Sequence, residues 1–253
     1  MGEPAFEAHH FVPIYRALNE AKVNFIIIGG QACNLWSLFY ENRFPDLKEY
    51  RPYTTKDLDI WASSQKEVLA TAELLHVKAE LNDPSSPAPG MGNLVYKSPK
   101  GPLFVQFLNA AFGVETKFVI RTRQNYVWKK YRLKLSVMHP VLTIEAKLRS
   151  VYGLSQRGRQ DLRHLKMAIL YTPAFLLDRI AEGQIKAALD MFQYIIDLAK
   201  SADGLRLYRE KSIPIEQAIP VSDMQRSRSP KIKNFLNMQL PREITRLEKI
   251  RAK

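Results

Sequence analysis

The chain is poor in cysteine: Cys33 is the single thiol in 253 residues. One thiol excludes an internal disulfide and any cysteine-rich zinc site, and a small core residue is its ordinary reading. Long apolar runs are absent too, with nothing near the ~18 residues that a bilayer-spanning helix needs. The opening MGEPAFEAHH has neither the basic n-region nor the apolar h-region of a secretory signal. A cytoplasmic location and no membrane partner are therefore the expectation. Acidic residues are scarce: 25 Asp and Glu face 38 Lys and Arg, for a net charge of +13. Such an excess suits a polyanionic partner, a nucleic acid or nucleotide phosphates. Glycine is also sparse, at 11 residues.

What is present is an ordinary globular composition, 46% apolar and 25% charged, in a chain long enough to bury a sizeable core. The positive charge is uneven. Residues 121–170 hold twelve Lys and Arg against only Glu145 and Asp161. That basic stripe is a candidate docking surface for a polyanion, with a plain solvated surface as the alternative.

Patterning divides the chain in two. Residues 9–22 have helical spacing. VNFIIIGG (23–30) reads as a buried strand running into a tight turn, and 31–40 as a helix. The stretch 41–53 is a polar loop, DLDIWA (57–62) a second strand, and 65–77 an amphipathic helix that Ser63 or Ser64 caps. NDPSSPAPGMGN (82–93) reads as a loop and 101–109 as a third strand. VETKFVIR (114–121) and YRLKLSVMH (131–139) read as further strands near an edge. Beyond Pro140 helical patterns dominate, at 140–152, 158–171, 174–182 and 184–200. A basic linker at about 212–230 precedes a last helical stretch. The expected organisation is an α/β part at 1–139 and a helical part at 140–253.

Within the second strand, Asp57 and Asp59 are two residues apart and so share a face, opposite Leu58 and Ile60. Two carboxylates that close raise each other's pKa and destabilise a fold unless a hydrogen-bond network or a divalent cation compensates. The plain alternative is a cap and an exposed strand residue, with Gly29-Gly30 a simple strand-to-helix turn. Trp36 and Trp61 read as core, and His164 as a packed or surface histidine.

A strand ending in Gly29-Gly30, a helix, and a strand bearing Asp57-x-Asp59 resembles the nucleotidyltransferase superfamily of polymerase-β-like enzymes. VMHPVLTIEAKLRS (137–150) and RGRQDLRHL (157–165) resemble the later Lys and Asp motifs of AbiEii-type toxin nucleotidyltransferases. The resemblance spans roughly residues 20–170. It implies an α+β fold, a mixed sheet with flanking helices followed by a helical region. It also implies Mg²⁺, or Mn²⁺, on Asp57 and Asp59, whose charge neutralises phosphate and aligns the reacting oxygens. Gly29, Gly30 and Gln31 would cradle an NTP, as backbone N–H groups at a helix start can. Lys147 and Lys56 would add charge, Arg51 would flank the site, and Asp161 would act near the reacting centre as base or orienter.

Where relatives carry a third carboxylate, this chain has Gln106, a neutral and poor metal ligand. Glu115 is a candidate to replace it. The resemblance implies metal-dependent transfer of an NMP from an NTP to an acceptor, such as an RNA or tRNA 3′ end on the 121–170 stripe or a protein hydroxyl. The alternatives are a degenerate member that binds nucleotide or nucleic acid without turnover, and an interaction partner of an antitoxin protein.

Overall fold

The computed structural model describes residues 5–83, 85 and 89–252. Its centre is a seven-stranded mixed sheet. In chain order the strands are β1 (Phe6–Glu7), β2 (Phe25–Ile27), β3 (Thr54–Thr55), β4 (Asp57–Ala62), β5 (Ala79–Leu81), β6 (Gly90–Ser98), β7 (Gly101–Leu108), β8 (Gln124–Trp128) and β9 (Leu133–Val137). The sheet order is β5-β6-β7-β4-β2-β9-β8, while β1 and β3 form a small separate ribbon. β4 runs parallel to β7, and β2 parallel to β9; the other pairs are antiparallel. The fold class is α+β, with a mixed sheet and flanking helices.

The apolar pattern explains the layers. Phe25, Ile26 and Ile27 of β2 are all buried, as a central strand covered on both faces requires. β4 alternates: Leu58 and Ile60 are fully buried, while Asp57 and Asp59 stand half-buried on the other face. The helices are α1 (Val12–Glu20), α2 (Gly29–Tyr40), α3 (Gln65–Leu74), α4 (Thr116–Thr122), α5 (Pro140–Gly153) and α6 (Asp161–Ala181). Then come α7 (Ile185–Lys200), α8 (Ala202–Lys211), α9 (Val221–Met224), α10 (Pro230–Asn234) and α11 (Leu240–Arg251). Helix α1 lies against β9 and α3 against β5 and β6, and the two touch each other on the Leu58–Ile60 face. Helix α2 packs on β4 and against α5 and α6. Among the described residues no helix is long and apolar enough to cross a membrane.

Four elements depart from the pattern-based reading. Residues 114–121 form helix α4 rather than a strand. The amides of Phe118 and Val119 both bond the Glu115 carbonyl, and Val119 is the one buried side chain of the helix. Its β-branched content mimicked a strand, but a single buried position suits one helical turn. The GMGN end of the expected loop is already strand β6. Gly92 permits this, because a Cβ there would come within 2.8 Å of the Glu80 carbonyl on β5. Helix α6 runs unbroken through Pro173, whose ring is buried, and the Thr172 hydroxyl bonds the Ala168 carbonyl beside it. The segment read as a linker, about 212–230, carries buried Ile215, Ala218, Ile219 and Met224 and is packed onto the helices.

Candidate active site

A cavity of about 410 Å³ opens where the start of α2, the Asp57–Asp59 face of β4, and helices α5 and α6 meet. That volume lies within the range of small-molecule sites. Its polar wall is Gly29, Gly30, Thr55, Lys56, Asp57, Asp59, Lys147, Arg157, Arg159, Asp161 and His164. Its apolar wall includes Leu108, Ala111, Phe112, Met138 and Leu154. The cavity thus takes residues from both sides of position 140.

The glycine pair is required by geometry. Gly29 has φ +64°, and a Cβ there would sit 2.1 Å from Asp59 Oδ2. A Cβ on Gly30 would sit 2.9 Å from His164 Cε1 and 3.1 Å from the Thr55 hydroxyl. The first turn of α2 therefore lies directly against the carboxylate and the imidazole. No side chain caps that turn, and Ile28, Gly29 and Gly30 line the cavity, so its first amides are unclaimed by a cap beside it. Gly29→Ala combines left-handed strain with a clash on Asp59. We expect it to cost about 2 kcal/mol of stability, read by denaturant melting, and to displace the carboxylate from the cavity.

On α5 and α6, Lys147 Nζ donates to Asp161 Oδ1 at 2.9 Å, and Arg159 Nε donates to Asp161 Oδ2 at 2.5 Å. Lys147 and Asp161 are 8% and 3% exposed at the side chain, so this is a buried pair with one more exposed cation. Burial pushes the Asp161 carboxyl up, but Lys147 and Arg159 outweigh it, and the net is below the ordinary value. Asp59 moves the opposite way. Burial, then the neighbouring Asp57, push its carboxyl up to about 7, against the pull of Lys147 and Arg159. Asp57 is steadied by the Thr55 hydroxyl, 3.3 Å from its Oδ1.

The sequence-derived residues divide clearly. The structure brings Gly29, Gly30, Lys56, Asp57, Asp59, Lys147 and Asp161 to one cavity. Gln31 is not there. It is fully buried, and its side-chain carbonyl accepts from Asn34 Nδ2 at 2.9 Å. The helix turns by about 100° per residue, which carries position 31 into the core. Arg51 does not line the cavity either; it holds Glu41 with a pair of hydrogen bonds. Glu115 starts α4 and does not line the cavity. Gln106 does line it, exposed, in register with Asp59 on the adjacent strand. Asp161 pairs with Lys147 and Arg159. Arg163 instead bonds the carbonyls of Tyr50 and Pro52.

The sequence gives neither of two further wall residues a role in the site: His164 reads there as a packed or surface histidine, and Arg159 goes unremarked. His164 is buried on the cavity wall, and burial first, then Lys147 and Arg163, lower its pKa to about 3. It is a neutral imidazole at ordinary pH. Its place three residues after Asp161 on one helix face was the available signal. Arg159 lies two residues before Asp161, and nothing in spacing distinguishes it from Arg157.

Among the described residues no three His, Cys, Asp or Glu side chains gather as a metal-holding group. Asp57 and Asp59 offer hard carboxylate oxygens on one face, beside a helix start. Such a donor set fits a Mg²⁺-like ion that takes the rest of its shell from water and phosphate, and does not fit an all-protein cage.

No protein-family model matches the sequence, and no curated protein sequence matches it. Among solved structures, the fold is similar to an antigenic nucleotidyltransferase-like protein from Paracoccidioides brasiliensis. The TM-score is 0.45 at 13% identity, covering 74% of this chain and 95% of that one.

Proposed function

We propose that this chain is a metal-dependent nucleotidyltransferase that binds an NTP in the α2–β4 cavity and transfers its NMP. The observation that carries the reading is the contact of the uncapped first turn of α2 with Asp59, at a Gly29 that admits no side chain. A helix start of this kind receives phosphate, and the adjacent carboxylates need a cation. Asp57 and Asp59 would hold Mg²⁺ or Mn²⁺, which supplies charge neutralisation for the phosphates when bound.

The remaining roles belong to the chain itself. The amides of the α2 first turn orient phosphate oxygens. Arg157, Arg159 and Lys56 place positive charge at the mouth. Lys147 is fixed by Asp161, so Asp161 is a positioning residue. With two cations on its oxygens and a lowered pKa it is a poor proton acceptor, so of its two expected uses, base or orienter, this reading keeps the second. The apolar wall at Leu108, Phe112 and Leu154 suits a nucleobase.

One observation favours a second reading, a nucleotide-binding chain without turnover. Gln106 sits in register with Asp59, where a third carboxylate would complete the metal set. Gln106→Asp is expected to tighten Mn²⁺ binding about tenfold, roughly 1.4 kcal/mol. Unchanged affinity by calorimetric titration would show that position 106 lies outside the metal shell.

The direct test incubates the protein with total RNA, Mg²⁺ and each α-³²P-labelled NTP, alongside the Asp57→Asn, Asp59→Asn variant. Label that enters RNA or protein, and is lost in the variant, supports transfer. NTP binding without label supports the second reading. Equal labelling by the variant refutes the assignment.

A further inference from the structure

The site described above occupies only part of its sheet face. Register carries that face beyond the cavity. Asp57 is opposite Phe104 on β7, and Phe104 is opposite Val95 on β6. Asp59 is opposite Gln106, and Gln106 is opposite Asn93. The next row pairs Lys97 with Pro102. Registered neighbours on adjacent strands point to the same side of a sheet, about 4.8 Å apart. Phe104, Val95, Gln106, Asn93 and Lys97 therefore form one surface continuous with the two aspartates.

Among the described residues this half of the face stands exposed at Phe104, Val95, Gln106 and Lys97. Phe104 is 49% exposed and Val95 41%, while the alternating Leu103, Val105 and Leu94 are buried on the face that α3 covers. An exposed aromatic beside an exposed β-branched residue on a sheet is costly unless it meets a partner. Its surroundings are basic. Lys97 stands on the platform, and Lys56, Arg157 and Arg159 stand at the cavity mouth next to Asp57. The Lys56 ammonium lies against the Arg157–Arg159 turn, 3.3 Å from where a Gly158 Cβ would be. An aromatic ring on an open sheet, flanked by cations and by amide side chains, has the chemistry that holds unstacked bases and their phosphates.

We propose that the β6–β7 face is the acceptor platform, and that it takes the end of a single-stranded polynucleotide. Phe104 stacks a terminal base, Lys97 meets a backbone phosphate, and Gln106 and Asn93 meet base or sugar edges. The terminal hydroxyl then lies toward Asp57. This proposal rests on the nucleotidyltransferase reading for the direction of the strand. It takes the docking role from the 121–170 stripe as a whole, of which Arg157 and Arg159 still flank the platform. Of the cations in that stripe, Lys147 is buried, Arg149 is paired with Asp203, and Lys134 lies on β9, beyond β2 from the site.

The test measures fluorescence anisotropy of labelled twelve-nucleotide single strands, one RNA and one DNA, in EDTA, with the full chain. Mg²⁺–NTP binding is measured separately on the same preparations. Phe104→Ala is expected to weaken single-strand binding at least fivefold and leave NTP affinity unchanged, while Phe104→Tyr retains binding. Lys97→Ala is expected to weaken it and reduce the slope of log affinity against log salt by about one. Preference for the RNA strand names the sugar; equal binding leaves the platform sugar-blind, and either supports the proposal. No binding of either strand by the parent overturns it. So does equal binding by Phe104→Ala, or a change of oligomeric state in that variant on gel filtration, which would make the face a self-interface. Single-strand binding without NTP binding would sink the nucleotidyltransferase reading and leave the platform standing. NTP binding without single-strand binding would do the reverse.

Discussion

The Asp57→Asn, Asp59→Asn double variant should be more stable than the parent in the absence of metal, and should lose Mg²⁺-dependent NTP binding. Both effects follow from one feature. Asp59 is pressed between burial and Asp57, and its carboxyl is raised from 3.8 to about 7. The folded state therefore binds this proton more tightly than the unfolded chain does. Its destabilising contribution is absent below about pH 4, grows as pH rises through the window to about 7, and is complete above it. His164 and His139 have the opposite slope. Burial lowers both from 6.5 to about 3, so their stability is present above pH 6.5 and lost on acidification. The histidines cancel in the difference between parent and variant, which isolates the aspartate effect. We expect the variant to gain about 2 kcal/mol at pH 7.5 and little at pH 4. Urea melts at both pH values in EDTA read this directly. A variant less stable than the parent at pH 7.5 would mean that the carboxylates are already compensated within the chain.

Lys147→Met should be the most damaging single change in the site. It removes the cation from a buried pair in which Asp161 is almost fully enclosed. A buried carboxylate stripped of its partner typically costs 3–5 kcal/mol. Arg159 remains as a partial partner, so about 2–3 kcal/mol is expected. Asp161→Asn added to Lys147→Met should recover most of that loss, and a double-mutant cycle gives the coupling. Nucleotide affinity separates the two roles. Lys147→Met should abolish NTP binding, whereas Asp161→Asn, which keeps the ammonium, should weaken it less. A Lys147→Met protein that melts and binds NTP like the parent would remove this pair from the account.

The core of this architecture was legible because its signals are local. Val23–Gly30 has the length and β-branched content of a strand, and Asp57–Ala62 has the length and the polar–apolar alternation of one. The shared face of Asp57 and Asp59 follows from a period of two, and the structure keeps it. The later helices follow from apolar spacing. What was missed depends on long-range pairing. Strand β6 hides in a glycine-rich stretch, and only its position between β5 and β7 makes GMGN extended. Helix α4 has strand-like residues, and one buried valine decides its form. In the site, Gly29 and Gly30 were marked by their place at the end of a β-forming run, but their contacts with Asp59 and His164 are tertiary. Gln31 follows them in sequence yet turns into the core. His164 and Arg159 enter the site where α2, β4, α5 and α6 meet; the three-residue spacing from Asp161 hints at His164, but no spacing marks Arg159. The exposed β6–β7 face could not be read at all until register placed Phe104 beside Asp57.

The most direct test of the central claim is calorimetric titration of the four NTPs into the parent and the Asp57→Asn, Asp59→Asn variant, each in Mg²⁺ and in EDTA. The account predicts binding of at least one NTP by the parent in Mg²⁺, markedly weaker binding in EDTA, and no metal dependence in the variant. A variant that binds Mg²⁺–NTP as tightly as the parent would contradict it, and Asp57 and Asp59 would then be structural carboxylates.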